Sequence, residues 1–446
     1  MSPGSTVLDA NAFNPASAVY LDHETAELAR RRAELLGPAY RLFYKTPVHL
    51  VRGDGARLFD PQGNAYLDVY NNVASVGHCN PRVVEAVARQ AATLNTHTRY
   101  LHGAVLDYAE DLLATTPPAL TRAMFMCTGS EANDLAVRVA QAYTGHRGVI
   151  ITQEAYHGNT DLVSGLSPAL GEAQPLGEAV RTVPAPDAYR TAPGQDVGLV
   201  FAAGVAEAIA SLQQAGLGVA ALLVDSAFSS DGVHPDPAGF LTPAVEQVRA
   251  AGGIFIADEV QPGFARTGAT FWGFARHGLV PELITTGKPM GNGIPIAGLM
   301  AQAPVLDAFA LRLPYFNTFG GNPVSIAAAQ AVLDEIRQTG LQRHVCEVGA
   351  EFLRELRTAA AGCEFIGDVR GAGLYLGVEI VANQDSKVPD AARALAIVDG
   401  LRERRVLTSV CGSGGNVLKL RPPLVFGLPE VDWFMTEFTA VLKAVR

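Results

Sequence analysis

One lysine, Lys288, lies in the run ITTGKPMGNGIPIAG (residues 284–298), among glycines, prolines and aliphatic residues with almost no other charge. It follows the apolar run ELITTG, which puts it at or just past the carboxyl end of a strand, where ligands bind in open α/β sheets. Pro289, Gly291, Gly293 and Pro295 make the backbone around it irregular and permit close approach. Desolvation there favours the neutral, nucleophilic amine, the form that a Schiff-base lysine requires. The ordinary alternative is a loop lysine pointing into water. A second candidate is Asp258, which with Glu259 ends the β-rich run of IFIADEVQPGFARTG (residues 254–268). It precedes Lys288 by thirty residues (288 − 258), about one strand–helix–strand step. Beside a pyridine nitrogen, an aspartate keeps the ring protonated and makes it an electron sink. Two acids at that point also fit a solvated strand end.

CTGSEANDLAVRVA (residues 127–140) places Thr128, Gly129 and Ser130 between a strand and a helix. Backbone N–H groups at a helix start, with hydroxyls beside them, cradle phosphate. The same residues also fit a routine N-cap with an acid in the first turn. AYHGNT (residues 155–160) offers Tyr156 and His157 after the strand-like GVIITQ. An aromatic there can stack on a flat cofactor or simply fill the core. Taken together, an amine for a Schiff base, a carboxylate for a ring nitrogen, a phosphate cradle and a stacking platform describe a pyridoxal phosphate site.

Such residues need elements to bring them together. From about residue 76 to 325, short β-rich runs (AMFMCT, GVIITQ, VAALLVDS, GIFIADEV, LITTGK, IAGLMAQ) alternate with helical stretches such as EANDLAVRVAQAYTG and LTPAVEQVRAAG. That alternation predicts an α/β domain with a mostly parallel sheet and helices on both faces. Before it, residues 23–36 predict a helix, and RLFDPQGNAYLDV predicts a hairpin with QGN at its tip. After it, IAAAQAVLDEIRQTG (326–340) predicts a long helix. CEFIGDVRG, LYLGVEIV and NVLKLRPPL predict strands, and a last helix is predicted from about 429 to 445. The expected layout is an N-terminal segment (1–75), a large α/β domain (76–325) and a smaller α+β domain (326–446) packed near the N-terminal part. GAGLYLG (371–377) lacks the spacing of a nucleotide-binding loop and predicts a turn between strands.

The 446 residues suffice for two or three domains, and 48% apolar with 17% charged residues argues against disorder. A formal net charge of −10 gives no general attraction to nucleic acid or anionic lipid. The five cysteines form no C-x-x-C pair and no cluster at metal-ligand spacing, so free thiols and no metal are expected. MSPGSTVLDANAFNPASAVY lacks the charged and apolar regions of a signal peptide. No apolar run approaches the roughly 18–20 residues of a bilayer span. The expectation is a cytoplasmic protein.

These motifs also carry a family resemblance. Over about residues 40–446 the chain resembles the class III aminotransferases of the fold-type-I pyridoxal-phosphate superfamily. GSEANDLAVRVA, AYHG, IADEVQPGFARTG, TTGKPMGNG and FNTFGGNP stand in that family's order and spacing. The resemblance implies that Lys288 is the Schiff-base lysine and Asp258 the partner of the pyridine nitrogen. It implies that Gly129 and Ser130 bind the cofactor phosphate and that Tyr156 and Val260 sandwich the ring. Thr318 resembles the threonine that reaches the phosphate of the neighbouring subunit's cofactor, which implies a homodimer, with a tetramer as the alternative. Asp225, in LLVDSAF, stands where the family usually has glutamate, near the cofactor.

Within the family, NNVASVGHCNP (71–81), LNTHTRYLH (94–102), GKPMGNGIP, PYFNTFGGNPVS and GDVRGAGLYLGVE resemble phospholyases acting on phosphoethanolamine or phosphohydroxylysine. Asn72 stands where many amine transaminases have a bulky aromatic, leaving room for an anionic group. Arg421, in LKLRPPL, stands where many members bind a substrate carboxylate. It could instead hold a phosphate or be structural. The implied substrate is a small phosphorylated amine, from which elimination releases phosphate. An ω-aminotransferase is the alternative, and intact Lys288 and Asp258 argue against an inactive scaffold. His78, His97, Arg99 and His102 could form a cationic wall for a phosphate, or be scattered surface and core residues.

Overall fold

In the computed structural model, which describes residue 9 and residues 11–15 and 21–445, most of the N-terminal stretch read against a signal peptide lies outside the described residues. The first helix, His23–Leu36, starts where the Asp22 side chain accepts from the Thr25 N–H. Three short strands follow: β1 (Arg52–Asp54), β2 (Arg57–Phe59) and β3 (Ala65–Asp68). The predicted hairpin is present, with Leu58 opposite Tyr66. The Asp60 carboxylate closes its tip by accepting from the N–H of Gln62 and Asn64 and from Asn64 Nδ2. An Asx-type turn of this kind does the work of backbone pairing.

The central sheet has seven strands: β4 (Leu120–Met126), β5 (Gly148–Thr152), β6 (Val180–Val183), β7 (Val219–Asp225), β8 (Ile254–Asp258), β9 (Leu283–Thr286) and β10 (Ala297–Gln302). Their order is β4-β10-β9-β8-β7-β5-β6. All pairs from β9 to β6 are parallel, and β10 runs antiparallel to both β9 and β4. The central strands are apolar at nearly every position because both faces are covered. Leu222 and Val224 enter one core, and Ala221 and Leu223 enter the other. Phe255 and Ala257 divide from Ile254 and Ile256 in the same way. This parity puts Asp225 and Asp258 on one face of the sheet.

One helix corrects the expectation that no segment is long and apolar enough to span a bilayer. Val197–Gln214 meets that test by length and composition. Here it covers the sheet with Phe201, Val205 and Leu212 buried, and Asp196 caps it through the Gly198 and Leu199 N–H groups. Its apolar character serves the core.

The helix expected over 326–340 runs Pro323–Gln338, started by the Asn322 side chain on the Ser325 N–H. Gly340 at φ +69° then turns the chain into a second helix, Leu341–Ala360. That 20-residue helix has no counterpart in the sequence reading, although its apolar residues at Leu341, Val345, Val348, Phe352 and Leu356 keep helical spacing. The C-terminal strands are β11 (Ile366–Ala372), β12 (Tyr375–Ile380), β13 (Val406–Leu407), β14 (Ser409–Cys411) and β15 (Val417–Leu420). GAGLYLG forms the turn between β11 and β12, with Ala372 opposite Tyr375. β15 stops before Pro422 and Pro423, which lack N–H donors. A second sheet runs β11-β12-β15-β14, and β13 joins β3 in parallel, so N- and C-terminal segments share one sheet. The last helix, Leu428–Ala444, lies within a residue of its predicted bounds.

Candidate active site

The carboxyl ends of adjacent parallel strands place the key side chains. Asp225 ends β7 and Asp258 ends β8, and the two are register partners. Thr285 of β9 stands opposite Asp258 on the other side, and Lys288 follows three residues later. The helix Gly129–Thr144 starts nearby, and loops from β5 and β8 supply Tyr156 and Val260. A cavity of about 280 Å³ opens among them, lined by Gly129, Ser130, Tyr156, Asp225, Asp258, Val260 and Lys288 together. Ligand pockets begin at about 300 Å³, so this volume is of the right order for a small cofactor.

Asp258, 4% exposed, is held from three directions. Its Oδ2 accepts from Asn133 Nδ2 at 2.8 Å and contacts His157 Nδ1 at 2.7 Å; its Oδ1 accepts from the Val260 N–H at 3.1 Å. Asn133 is itself fixed, donating to the His157 carbonyl at 2.8 Å and accepting from Thr285 Oγ1 at 2.6 Å. The sequence reading passed over Asn133; its signal is one amide among the buried apolar positions of a helix.

At the helix start, the Thr128 side chain accepts from the Glu131 N–H, and the Glu131 carboxylate accepts from the Thr128 N–H, forming a capping box. The Gly129 and Ser130 N–H groups make no hydrogen bond among the described residues and line the cavity. Close approach explains two glycines. A Cβ on Gly129 would meet the Val260 side chain at 3.0 Å, and one on Gly158, at φ +144°, would meet Ser130 Cα at 2.7 Å. Free N–H groups at a helix start favour an anion.

Lys288 is half-buried and faces the cavity. Burial and then the Arg421 charge lower its pKa, against the pull of Asp258 and Asp225. The Asp225 carboxyl is raised by burial and then by the Asp258 charge beside it. An amine whose charge burial disfavours, an anchored carboxylate, a free N–H pair and an aromatic, all on one cavity, fit pyridoxal 5′-phosphate.

The remaining expected residues lie outside that lining. Arg421, 6% exposed, donates through Nε to the Tyr70 carbonyl at 3.0 Å and through Nη1 to Gln261 Oε1, with its guanidinium 4.6 Å from the Tyr70 ring centre. Gln261, also missed in the sequence, lines the cavity, accepts from the Tyr375 hydroxyl at 3.1 Å and reaches Asp225 Oδ2 at 3.5 Å. Asn72 is buried, its Nδ2 has no partner, and its neighbour Val73 lines the cavity. Thr318 is exposed, away from this chain's own cavity. The cationic wall does not form around the cavity: His78 pairs with Asp68 at 2.6 Å, His97 stacks on Tyr100, Arg99 lies over Phe316, and His102 precedes the helix Gly103–Leu113.

Comparison with known proteins accords with this geometry. The family model described as aminotransferase class-III matches residues 42–442. The chain is 40% identical to an alanine–glyoxylate aminotransferase 2-like protein of Drosophila melanogaster, over 94% of this chain and 87% of that one. It is 34% identical to ethanolamine-phosphate phospho-lyase homolog 1 of Caenorhabditis elegans, over 99% of this chain and all of that one. Among solved structures, a phospholyase from Arthrobacter in complex with phosphoethanolamine superposes with a TM-score of 0.91 at 43% identity, covering 94% of this chain and 99% of that one.

Proposed function

Because the chain belongs to the class III aminotransferase family, whose cofactor is pyridoxal 5′-phosphate, we propose that this enzyme eliminates phosphate from O-phosphoethanolamine or a related amino-alkyl phosphate. The observation carrying this reading is the likeness, along nearly the whole chain, to a phospholyase solved with phosphoethanolamine.

In this reading Lys288 would hold the cofactor through its aldehyde and would take the proton from the substrate carbon that bears nitrogen. The cofactor, when bound, would supply an electron sink for the pair released at that carbon. Asp258, fixed by Asn133 and His157, would hold the pyridine nitrogen, with Asp225 beside it. Gly129 and Ser130 hold the cofactor phosphate, while Tyr156 and Val260 confine the ring. Thr318 acts toward the cofactor of a second copy, in a homodimer. Asn72 and Arg421 face the substrate. The C–O bond to the substrate phosphate breaks with its electron pair, and water completes the balance to acetaldehyde, ammonia and inorganic phosphate.

A second reading, an aminotransferase, is favoured by one feature. Arg421 is steadied by Tyr70 and Gln261 and offers its Nη2, which no group among the described residues accepts from, as a carboxylate receptor. The test is to supply the holoenzyme with O-phosphoethanolamine and no keto acid. Phosphate and acetaldehyde should appear in equal amounts; amino transfer to pyruvate without phosphate release would replace the lead reading with the second.

A further inference from the structure

β15 carries a second buried cation. Lys419 is 7% exposed and lies two residues before Arg421, which directly follows the end of the strand. Leu418 and Leu420, fully buried, point the other way into the core. The residues opposite Lys419 are small, Gly377 on β12 and Ser409 on β14. On this face a Cβ added at Gly377 would meet Val233 at 3.3 Å, so the sheet packs on the loop after β7 that begins with Asp225. The charges acting on Lys419 include Arg421, Asp225 and Lys288.

Among the described residues, no hydrogen bond or ion pair reaches the Lys419 Nζ. Burial, and then the neighbouring Arg421, push its pKa down to about 7. A buried, unpaired cation destabilises a fold unless a ligand supplies the missing anion. Asp225 is the acidic group near it, and burial pushes the neighbouring Cys411 thiol up, toward its neutral form. The Asp225 carboxyl is already committed to the Ala227 N–H at 2.9 Å and lies at Gln261.

We propose that Lys419 and Arg421 together form the subsite for the substrate's phosphate, with Lys419 as the residue that selects a phosphorylated amine. Arg421 supplies planar donors fixed by Tyr70 and Gln261, and Lys419, two residues earlier, supplies a second charge. Two cations suit a dianion; a carboxylate substrate needs one. The inference rests on the phospholyase reading and deepens it.

The test uses the holoenzyme, its cofactor cradle filled. Calorimetry measures binding of inorganic phosphate, and steady-state assays measure KM and kcat for O-phosphoethanolamine. Lys419→Gln should weaken phosphate binding and raise KM by roughly 10- to 100-fold, the range for losing a hydrogen bond to a charged group. kcat should change far less, and the cofactor absorption spectrum should stay that of the wild type. Lys419→Arg should restore most of the affinity. Should Lys419→Gln fold poorly, Lys419→Met removes the charge while keeping an apolar stem. Phosphate binding and KM within twofold of wild type in a folded, cofactor-loaded variant overturn the role of Lys419, whether or not phosphate is released. Absence of phosphate release by the wild type overturns the phospholyase reading instead.

Discussion

Replacing Asn133 by the nearly isosteric leucine tests how Asp258 is held. The amide makes three buried hydrogen bonds, to Asp258 Oδ2, to the His157 carbonyl and from Thr285 Oγ1. Leucine deletes all three and leaves the His157 carbonyl and the Thr285 hydroxyl without a partner. Each buried group left unpaired costs about 1–3 kcal/mol. Asp258 keeps its contact with His157 and its bond from the Val260 N–H, so its own loss falls at the low end of the range for a charged acceptor. The total comes to about 3.5–7.5 kcal/mol, at or beyond the upper range for a single substitution. With about 2.1 cal/mol/K of unfolding entropy per residue, a chain of 446 residues loses about 4–8 °C in its midpoint. Differential scanning calorimetry of the cofactor-free protein at one scan rate reads this directly. Cofactor affinity should fall as well, because the carboxylate is free to turn. A midpoint within about 1 °C of wild type, with unchanged cofactor affinity, would refute the claim that Asn133 holds Asp258 in place.

Gly158→Ala puts a Cβ against Ser130 Cα and forces a left-handed backbone on alanine, so it should weaken cofactor binding by roughly tenfold or more, about 1.4 kcal/mol. Equilibrium dialysis measures this, with Gly103→Ala, where an added Cβ meets nothing, as the unchanged control. Asp225→Asn tests the raised carboxyl. A folded-state pKa above the unfolded one means stability present at low pH is lost as pH rises past the ordinary aspartate value. The cofactor-free variant should therefore gain midpoint temperature over wild type as pH rises above about 4; a gap that does not change with pH excludes the cause given.

The residues legible in the sequence are those whose roles are written locally. Lys288, Asp258, Gly129, Ser130, Tyr156 and Val260 each stand at a strand end or helix start, and the parallel sheet gathers such ends on one edge. What stayed hidden depends on partners far along the chain. Arg421 meets Tyr70 and Gln261, 351 and 160 residues away in sequence. Lys419 reads locally as a charged position on a strand; only the small residues opposite it and the loop covering that face leave it buried. The helix Leu341–Ala360 was passed over because a charged, amphipathic stretch closely follows another helix, and only Thr339 and Gly340 separate the two. His78 looked available for an anion until folding brought Asp68 against it.

The most direct measurement is to reduce the holoenzyme with borohydride and map the lysine that keeps the cofactor. The account predicts a single modified peptide carrying Lys288, absent from Lys288→Ala. Cofactor fixed to Lys419, the other lysine with a lowered pKa, or to no lysine at all, would contradict it.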